Sequence, residues 1–382
     1  MTRILHVFTS SKFVPFVRPI LSRLLAFGYE PHAISSAGPE LSSLEELGVR
    51  THTVEMSREI SPLSDLRSLF QLRRVMRQID PALIHLHTPK GGLLGALAAT
   101  SLGLRPRIYQ MHGSPWLSAD GLLKALYWCT EATSSGLAHR TLAVSPSLLQ
   151  SGVRARFLRA ETAGVLGGGS AYGVDTERFP KLGRDISTQG MRARLGLGPD
   201  AVVLGFAGRY IEEKGLVELG VVLREVRRRF PAAVLLLAGT QDGRVPEALG
   251  ALRSSPGVID LGYQRDMLAF YRALDLFLLP SHREGLSTVL LEAMAVGVPV
   301  LGAMAVGIVD VIDHGRTGYL APPRDGTAFA RLALEMLLNP ELCRAFADAG
   351  AEKVRLSFRT ETIVSDLLSL YTSLGAPPPR SA

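Results

Sequence analysis

The 382-residue chain has only two cysteines, Cys129 and Cys343, far apart in sequence. That excludes a disulfide framework and suits a reducing compartment, the cytoplasm. It lacks any run of about eighteen apolar residues, so no membrane-crossing helix is expected. Its start, MTRILHVFTSSKF, is too short and polar for a leader and reads as a first strand. No glycine follows that strand: the loop is TSSKFVPF, where a dinucleotide-binding turn would read Gly-x-Gly-x-x-Gly. This counts against NAD or FAD. No cluster with metal-ligand spacing is visible, so neither a catalytic metal nor a bound cofactor is expected. Charge of one sign is only slightly in excess, with 42 basic and 35 acidic side chains giving +7. That suits a nucleotide, a pyrophosphate or an anionic membrane surface, and is too mild to argue for nucleic acid.

What is present is alternation. The length suits two domains. Apolar patterning predicts strands over 4–8, 30–35, 50–54, 82–87, 107–111, 140–144 and 162–166. Helices are predicted between them over 13–27, 63–79, 91–102 and 122–138. Repeated strand–helix units imply parallel sheets covered by helices, with ligands at the carboxyl ends of the strands. The polar stretch 176–200 reads as a connector. A second series follows: strand 202–206, helix 216–229, strand 233–238, a helix near 244–252, strand 258–261, helix 267–273 and a late strand near 318–320. LGAPPPRSA at the end reads as a disordered tail.

The second series is organised around residues 280–300, PSHREGLSTVLLEAMAVGVPV. It reads as a turn, a helix that Ser287 and Thr288 can cap, and a stop at Gly297 and Pro299. The helix is apolar nearly all round except for Glu292. A lone carboxylate there is costly unless it is hydrogen-bonded, although a helix start also tolerates negative charge. The same helix start suits an anion such as phosphate.

Glu284, seven residues and Glu292, with Gly285 after the first and Ala-Met-Ala-x-Gly-x-Pro-Val after the second, resembles the signature of the family 4 retaining glycosyltransferases. GFAGRYIEEKG over 205–215 resembles that family's Gly-Arg-x4-Lys-Gly motif and supplies Arg209 and Lys214. GSAYGVDTERF over 169–179 and HGRTGYLAPPRD over 314–325 extend the likeness. The resemblance implies an α/β fold of GT-B architecture, two doubly wound Rossmann-like domains facing across a cleft. An acceptor-side domain would span 1–180 and a nucleotide-sugar donor domain 181–357. A helix over 358–374 would cross back to the first domain, and 375–382 would be the tail.

The implied activity is retaining transfer of a hexose from a nucleotide-sugar, UDP-linked, to a hydroxyl of a glycan or polyprenyl-diphosphate-linked glycan. The process is surface polysaccharide or glycoconjugate biosynthesis, without a metal, at the inner face of the cell membrane. By resemblance, Arg209 and Lys214 stabilise the leaving pyrophosphate, and Glu284 binds the donor sugar near its reacting carbon. Glu292 takes the ribose hydroxyls. Leu286, Ser287 and Thr288 offer backbone N–H groups to the phosphates, Tyr263 covers the base, and His112 assists the reacting centre. Phe16 and Arg18, in KFVPFVRP, resemble acceptor-side residues of relatives that extend polyprenyl-diphosphate-linked sugars. Lys90, in HTPKGG, stands at a helix start where it could meet an anionic acceptor or simply be solvated. The helix over 66–79, with Arg67, Arg73, Arg74 and Arg77 beside apolar residues, fits a lipid surface or its own sheet.

The chain departs from the family pattern at Ser10, Ser11 and Lys12, at Tyr172 and at Asp310. The rival readings are an epimerase or phosphorylase of the same fold, and a silent sugar-nucleotide-binding scaffold.

Overall fold

The computed structural model describes residues 1–57, 59, 61–113, 115–181, 189–198, 200–241 and 246–378. Part of the expected connector (182–188 and 199), the start of the helix expected near 244 and the last four residues of the tail lie outside this set. The chain divides into two compact units, Met1–Gly173 with Glu361–Ala382, and Val174–Thr360.

The first unit is built on seven parallel strands. They are β1 (Arg3–Ser10), β2 (Glu30–Ser36), β3 (Arg50–Thr53), β4 (Leu83–His87), β5 (Arg107–Met111), β6 (Arg140–Ala143) and β7 (Ala163–Gly164), in the order β3-β2-β1-β4-β5-β6-β7. Central strands such as β4 and β5 are buried along their whole length, because helices cover both faces. The register sets His6 of β1 beside His85 of β4. The Ala/Gly-rich helix Pro89–Ser101 has few large side chains because the sheet lies against its backbone. A Cβ on Gly92 would stand 2.4 Å from the Tyr109 ring, and one on Gly95 would stand 2.5 Å from Leu86.

The helix Pro146–Arg154 had no sequence expectation, yet its Ser-Pro start is a local signal: Ser145 caps it by accepting from the Leu148 N–H at 3.3 Å. The helix Thr360–Ser373 joins this unit's core through Ile363, Leu367 and Tyr371. The segment expected to be disordered begins in an ordered state, since Tyr29 donates its hydroxyl to the Ala376 carbonyl at 2.9 Å and Ala376 is buried.

The second unit has six parallel strands. They are β8 (Val203–Ala207), β9 (Val234–Ala238), β10 (Val258–Asp260), β11 (Leu276–Leu279), β12 (Val300–Ala303) and β13 (Tyr319–Ala321), in the order β10-β9-β8-β11-β12-β13. Both sheets therefore reverse direction beside their first strand, at β1/β4 and at β8/β11. The expected class, two doubly wound Rossmann-like domains, is the one observed. The stretch read as a connector contains a short helix, Gln189–Arg194. The helix Thr288–Val296 is buried on most sides and stops at Gly297 with φ +89°. Ser287 holds its N-cap position, but its hydroxyl makes no capping bond.

The loops after β8 and β11 are pressed together. Gly215 has φ +75°, and a Cβ there would stand 2.4 Å from the Pro280 carbonyl oxygen. Gly215→Ala is expected to destabilise the protein by about 2–3 kcal/mol through backbone overlap and a disfavoured conformation, read as a lower urea midpoint.

Candidate active site

In the second unit Arg209, Lys214 and Glu284 stand at the carboxyl ends of β8 and β11, beside the reversal where ligands of doubly wound sheets bind, and Tyr263 follows β10 at the sheet edge. Lys214, in the single 3-10 turn Glu212–Lys214 after β8, forms an ion pair with Glu284 after β11. Both side chains are shielded, at 15% and 13% exposure. Two further pairs tie the same loops. Arg283 donates a fork of bonds to Glu213 at 2.9–3.2 Å, and His282 pairs with buried Glu218 at 2.8 Å. The Glu284 N–H donates to the Val306 carbonyl at 3.0 Å. Behind it, Gly307 lies so close that a Cβ would be 2.5 Å from the Gly285 oxygen. Glu284 is thus held by backbone and charge from three loops.

Arg209 follows β8 and is exposed, and its guanidinium has no partner among the described residues. It is a cation available to an anion. The helix Thr288–Val296 points its N-terminal backbone N–H groups out of the same loop. Leu286 packs its side chain on the core, so only its backbone can serve a ligand, and Ser287 is buried. Tyr263, in the turn after β10, is 71% exposed, so it is not a core-packing tyrosine. Asp260 braces that turn, accepting from the Gly262 N–H at 2.9 Å and the Tyr210 hydroxyl at 2.7 Å.

Glu292 accepts a hydrogen bond from the Tyr271 hydroxyl at 2.8 Å. Burial raises its pKa to about 7, against the opposing pulls of that bond and of Arg178. Neither Tyr271 nor Arg178 was identified from sequence, because each is remote along the chain.

The first unit carries a different constellation. His112 follows β5 and is half-buried. Its Nε2 lies 3.0 Å from His87 Nδ1, and His87 Nε2 lies 2.9 Å from His6 Nδ1. The Phe13 ring meets His112 edge-on at 4.6 Å and stacks on exposed Phe16 at 5.2 Å. Burial pushes His112 and His6 down to about 3, and His85 and His87 well below the usual range, so the rings are neutral. The sequence showed no metal-ligand cluster, but the fold brings nitrogens of His6, His85 and His87 within 4.8 Å of one another. Neutral imidazoles are suitable donors for a metal, although His6 and His87 bond each other, His85 Nδ1 lies 2.8 Å from the Tyr371 hydroxyl, and no carboxylate joins the set among the described residues.

Arg18 is exposed on the helix Val14–Ala26. Lys90 is not presented as a free cation. Its ammonium pairs with Asp65 at 2.8 Å and donates to the Glu59 carbonyl, which already matches its charge. The hydrogen-bonded histidines leave one trace in the sequence, the period-two spacing that puts His85 and His87 on the same face of β4.

The raised pKa of Glu292 sets a sign. Folding favours its protonated form, so its contribution to stability is greatest at low pH and falls as pH rises from about 4.5 to about 7. Glu292→Gln is expected to remove that slope and to gain up to about 3 kcal/mol at pH 8 relative to the native chain. Urea unfolding at pH 5 and pH 8 measures both quantities.

Residues 201–339 match the family "Glycosyl transferases group 1", and residues 14–169 match "Glycosyl transferase 4-like domain". The capsular polysaccharide biosynthesis glycosyltransferase CapM of Staphylococcus aureus is 28% identical over 97% of this chain and 97% of its own. A D-inositol 3-phosphate glycosyltransferase of Saccharomonospora viridis is 35% identical over 52% of this chain and 48% of its own. Among solved structures, Anabaena Alr3699/HepE in complex with UDP and glucose matches with a TM-score of 0.79 at 20% identity, covering 98% of this chain and all of that one. Two family matches, one on each of the two doubly wound units, place this chain among the group 1 glycosyltransferases of GT-B fold.

Proposed function

We propose that this glycosyltransferase moves a hexose, with retention of configuration, from a UDP-sugar to a hydroxyl of a glycan or polyprenyl-diphosphate-linked glycan. The process would be surface polysaccharide biosynthesis. The observation that carries the reading is the strand-end assembly of shielded Lys214–Glu284, unpaired Arg209 and the start of the helix Thr288–Val296. UDP leaves with increased negative charge on its terminal phosphate. Arg209 and the helix start supply positive charge where that develops, and Lys214, although paired with Glu284, adds N–H donors, which together lower the barrier. Because side chains and backbone supply it, transfer is expected to persist in EDTA.

Glu284 is engaged by Lys214, which favours the role of accepting sugar hydroxyls over that of a nucleophile. Attack would then come from the face that the diphosphate leaves, with a departing phosphate oxygen taking the acceptor proton. Glu292 is assigned the ribose, Tyr263 the base, and His112 a bond to a sugar oxygen. The capsular role of CapM and the UDP and glucose bound to the Anabaena protein support the choice of process and donor.

Glu284→Ala is expected to abolish transfer and, because it strands the shielded Lys214 ammonium, to lower the melting temperature of a protein that still unfolds cooperatively. Arg209→Ala is expected to weaken UDP binding by roughly 10–100-fold, the value of one charge-assisted bond. Calorimetry with UDP, GDP and ADP, followed by product NMR for the anomeric configuration, tests the reading. A fully active Glu284→Ala enzyme, or an inverted product, would sink it.

We also infer a peripheral membrane contact on the first unit. No described helix is long and apolar enough to cross a membrane. The helix Pro62–Ile79 exposes Leu63, Leu66 and Phe70, and its Arg67, Arg73, Arg74 and Arg77 have no acidic partner among the described residues. The helix Pro89–Ser101 lies between it and the helix Gly121–Leu137, which exposes Leu122, Leu123, Leu126 and Trp128 around Lys124. Apolar side chains with unpaired cations fit an anionic bilayer. The protein is expected to sediment with phosphatidylglycerol vesicles and not with phosphatidylcholine ones. Leu122→Asp with Leu126→Asp should reduce the bound fraction several-fold, and equal sedimentation with both lipids would refute the contact.

A further inference from the structure

The two oxygens of Glu292 stand in different situations. Oε2 accepts from the Tyr271 hydroxyl at 2.8 Å. Oε1 has no hydrogen bond among the described residues, and it is not one of the unpartnered polar atoms shut away from water. The residue is partly exposed, so Oε1 is open to a ligand while Oε2 is tethered.

The tether is anchored at its far end. Tyr271 is fully buried on the helix Met267–Arg272, which Asp266 caps by accepting from the Ala269 N–H at 3.0 Å. Three aromatic rings meet the phenol ring edge-on: Phe179 at 6.0 Å, Phe270 at 5.5 Å and Phe277 of β11 at 5.9 Å. A ring enclosed this way does not swing with the carboxyl, so the hydroxyl fixes where the longer, freer glutamate side chain points. Other charges nearby do not supply a second tether. Arg178 is exposed and favours the charged carboxylate without a hydrogen bond to it among the described residues. The strands β11 and β12 beside the helix Thr288–Val296 read LFLL and VLGA. The helix Pro340–Ser357 packs on it with Gly350 near Met294, and its Asp348, Glu352 and Lys353 are paired with Lys181, Arg355 and Asp313. Arg272 and Asp266 are the charged residues beside Tyr271 itself, Asp266 serving as the cap.

We propose that Tyr271 is a positioning residue for the nucleotide: its hydroxyl holds Oε2 of Glu292 so that Oε1 is presented as the acceptor for a ribose hydroxyl. The statement rests on the assignment of Glu292 to the ribose; the tether itself does not. The tether also acts on charge. Burial lifts Glu292 to about 7, and the bond from Tyr271 opposes that lift. An ionised carboxylate accepts a hydroxyl hydrogen more strongly than a neutral carboxyl does. Without the tether the carboxyl is neutral over a wider pH range, so the nucleotide loses most near pH 7 and less at pH 9, where both proteins are ionised.

The variant is Tyr271→Phe, which keeps the ring and its packing. The first readout is carbon NMR of ligand-free protein labelled at glutamate, with Glu292 assigned by its loss in Glu292→Gln. The variant should titrate at a higher pH than the native chain, and an unmoved midpoint overturns the tether whatever the ligand does. The second is calorimetry with UDP, read as the ratio of variant to native Kd, in which the titration of the UDP phosphate cancels. The variant should bind about tenfold more weakly at pH 7, the low end for a hydrogen bond to a charged group, with a smaller loss at pH 9. An equal loss at both pH values overturns the part of Tyr271 in nucleotide binding. The native protein should also prefer UDP to 2′-deoxy-UDP, because a buried acceptor left without its hydroxyl is costly, and the preference should shrink in Tyr271→Phe. Equal binding of the two nucleotides by the native protein at pH 9 overturns the proposal without needing any variant to fold. A native preference that survives in Glu292→Gln would instead remove the assignment of Glu292 to the ribose, a failure distinct from an unmoved midpoint.

Discussion

The second unit depends on one ion pair placed where it is hard to place one. Lys214 and Glu284 come from loops 70 residues apart, and both are largely removed from water. Such a pair is costly to desolvate, and losing either partner strands the other charge. The loops tolerate it because backbone comes unusually close around it: Gly215 against Pro280, and Gly307 against Gly285. The outer pairs Arg283–Glu213 and His282–Glu218 fasten the same loops. The result is a rigid strand end with Arg209 left without a partner among the described residues. Positive charge held in place before the ligand arrives needs little reorganisation when a diphosphate departs.

The first unit uses the same topology for the opposite electrostatic purpose. At its β1/β4 reversal stand neutral histidines, kept uncharged by burial, rather than ion pairs. The register that puts His6 beside His85, and the spacing of His85 and His87, direct three rings to one face of the sheet. Hydrogen bonds among them satisfy groups that would otherwise be costly to bury. This unit also carries the exposed apolar and basic helices, whereas the second is the one with charge arranged for an anion.

Much of the fold was legible because alternation is a strong signal. The helix Leu216–Arg229 and strand β5 have the bounds that their patterns predict, since a buried parallel strand is a short apolar run and a covering helix is periodic. Weaker signals were harder to read. Pro146–Arg154 and Gln189–Arg194 are short and polar in part, and Ala376 looked like tail because proline-rich sequence usually is. Its hydrogen bond from Tyr29 is long-range and leaves no local trace.

The candidate site divides the same way. The sequence pointed to Arg209, Lys214, Glu284 and Glu292 through the resemblance of two chain-local motifs to those of a known family, which local spacing is enough to carry. It also determined the lack of a dinucleotide turn after β1. Only the tertiary structure decided which charges are matched. Lys90 is neutralised by Asp65, Arg209 has no partner among the described residues, and no spacing rule tells them apart. Only the tertiary structure gave Glu292 its Tyr271 partner and raised pKa, and His112 its chain of rings back to Tyr371. The reason is physical: local sequence fixes which groups a strand end carries, whereas burial and pairing depend on neighbours brought in from elsewhere in the chain, and these set charge and availability.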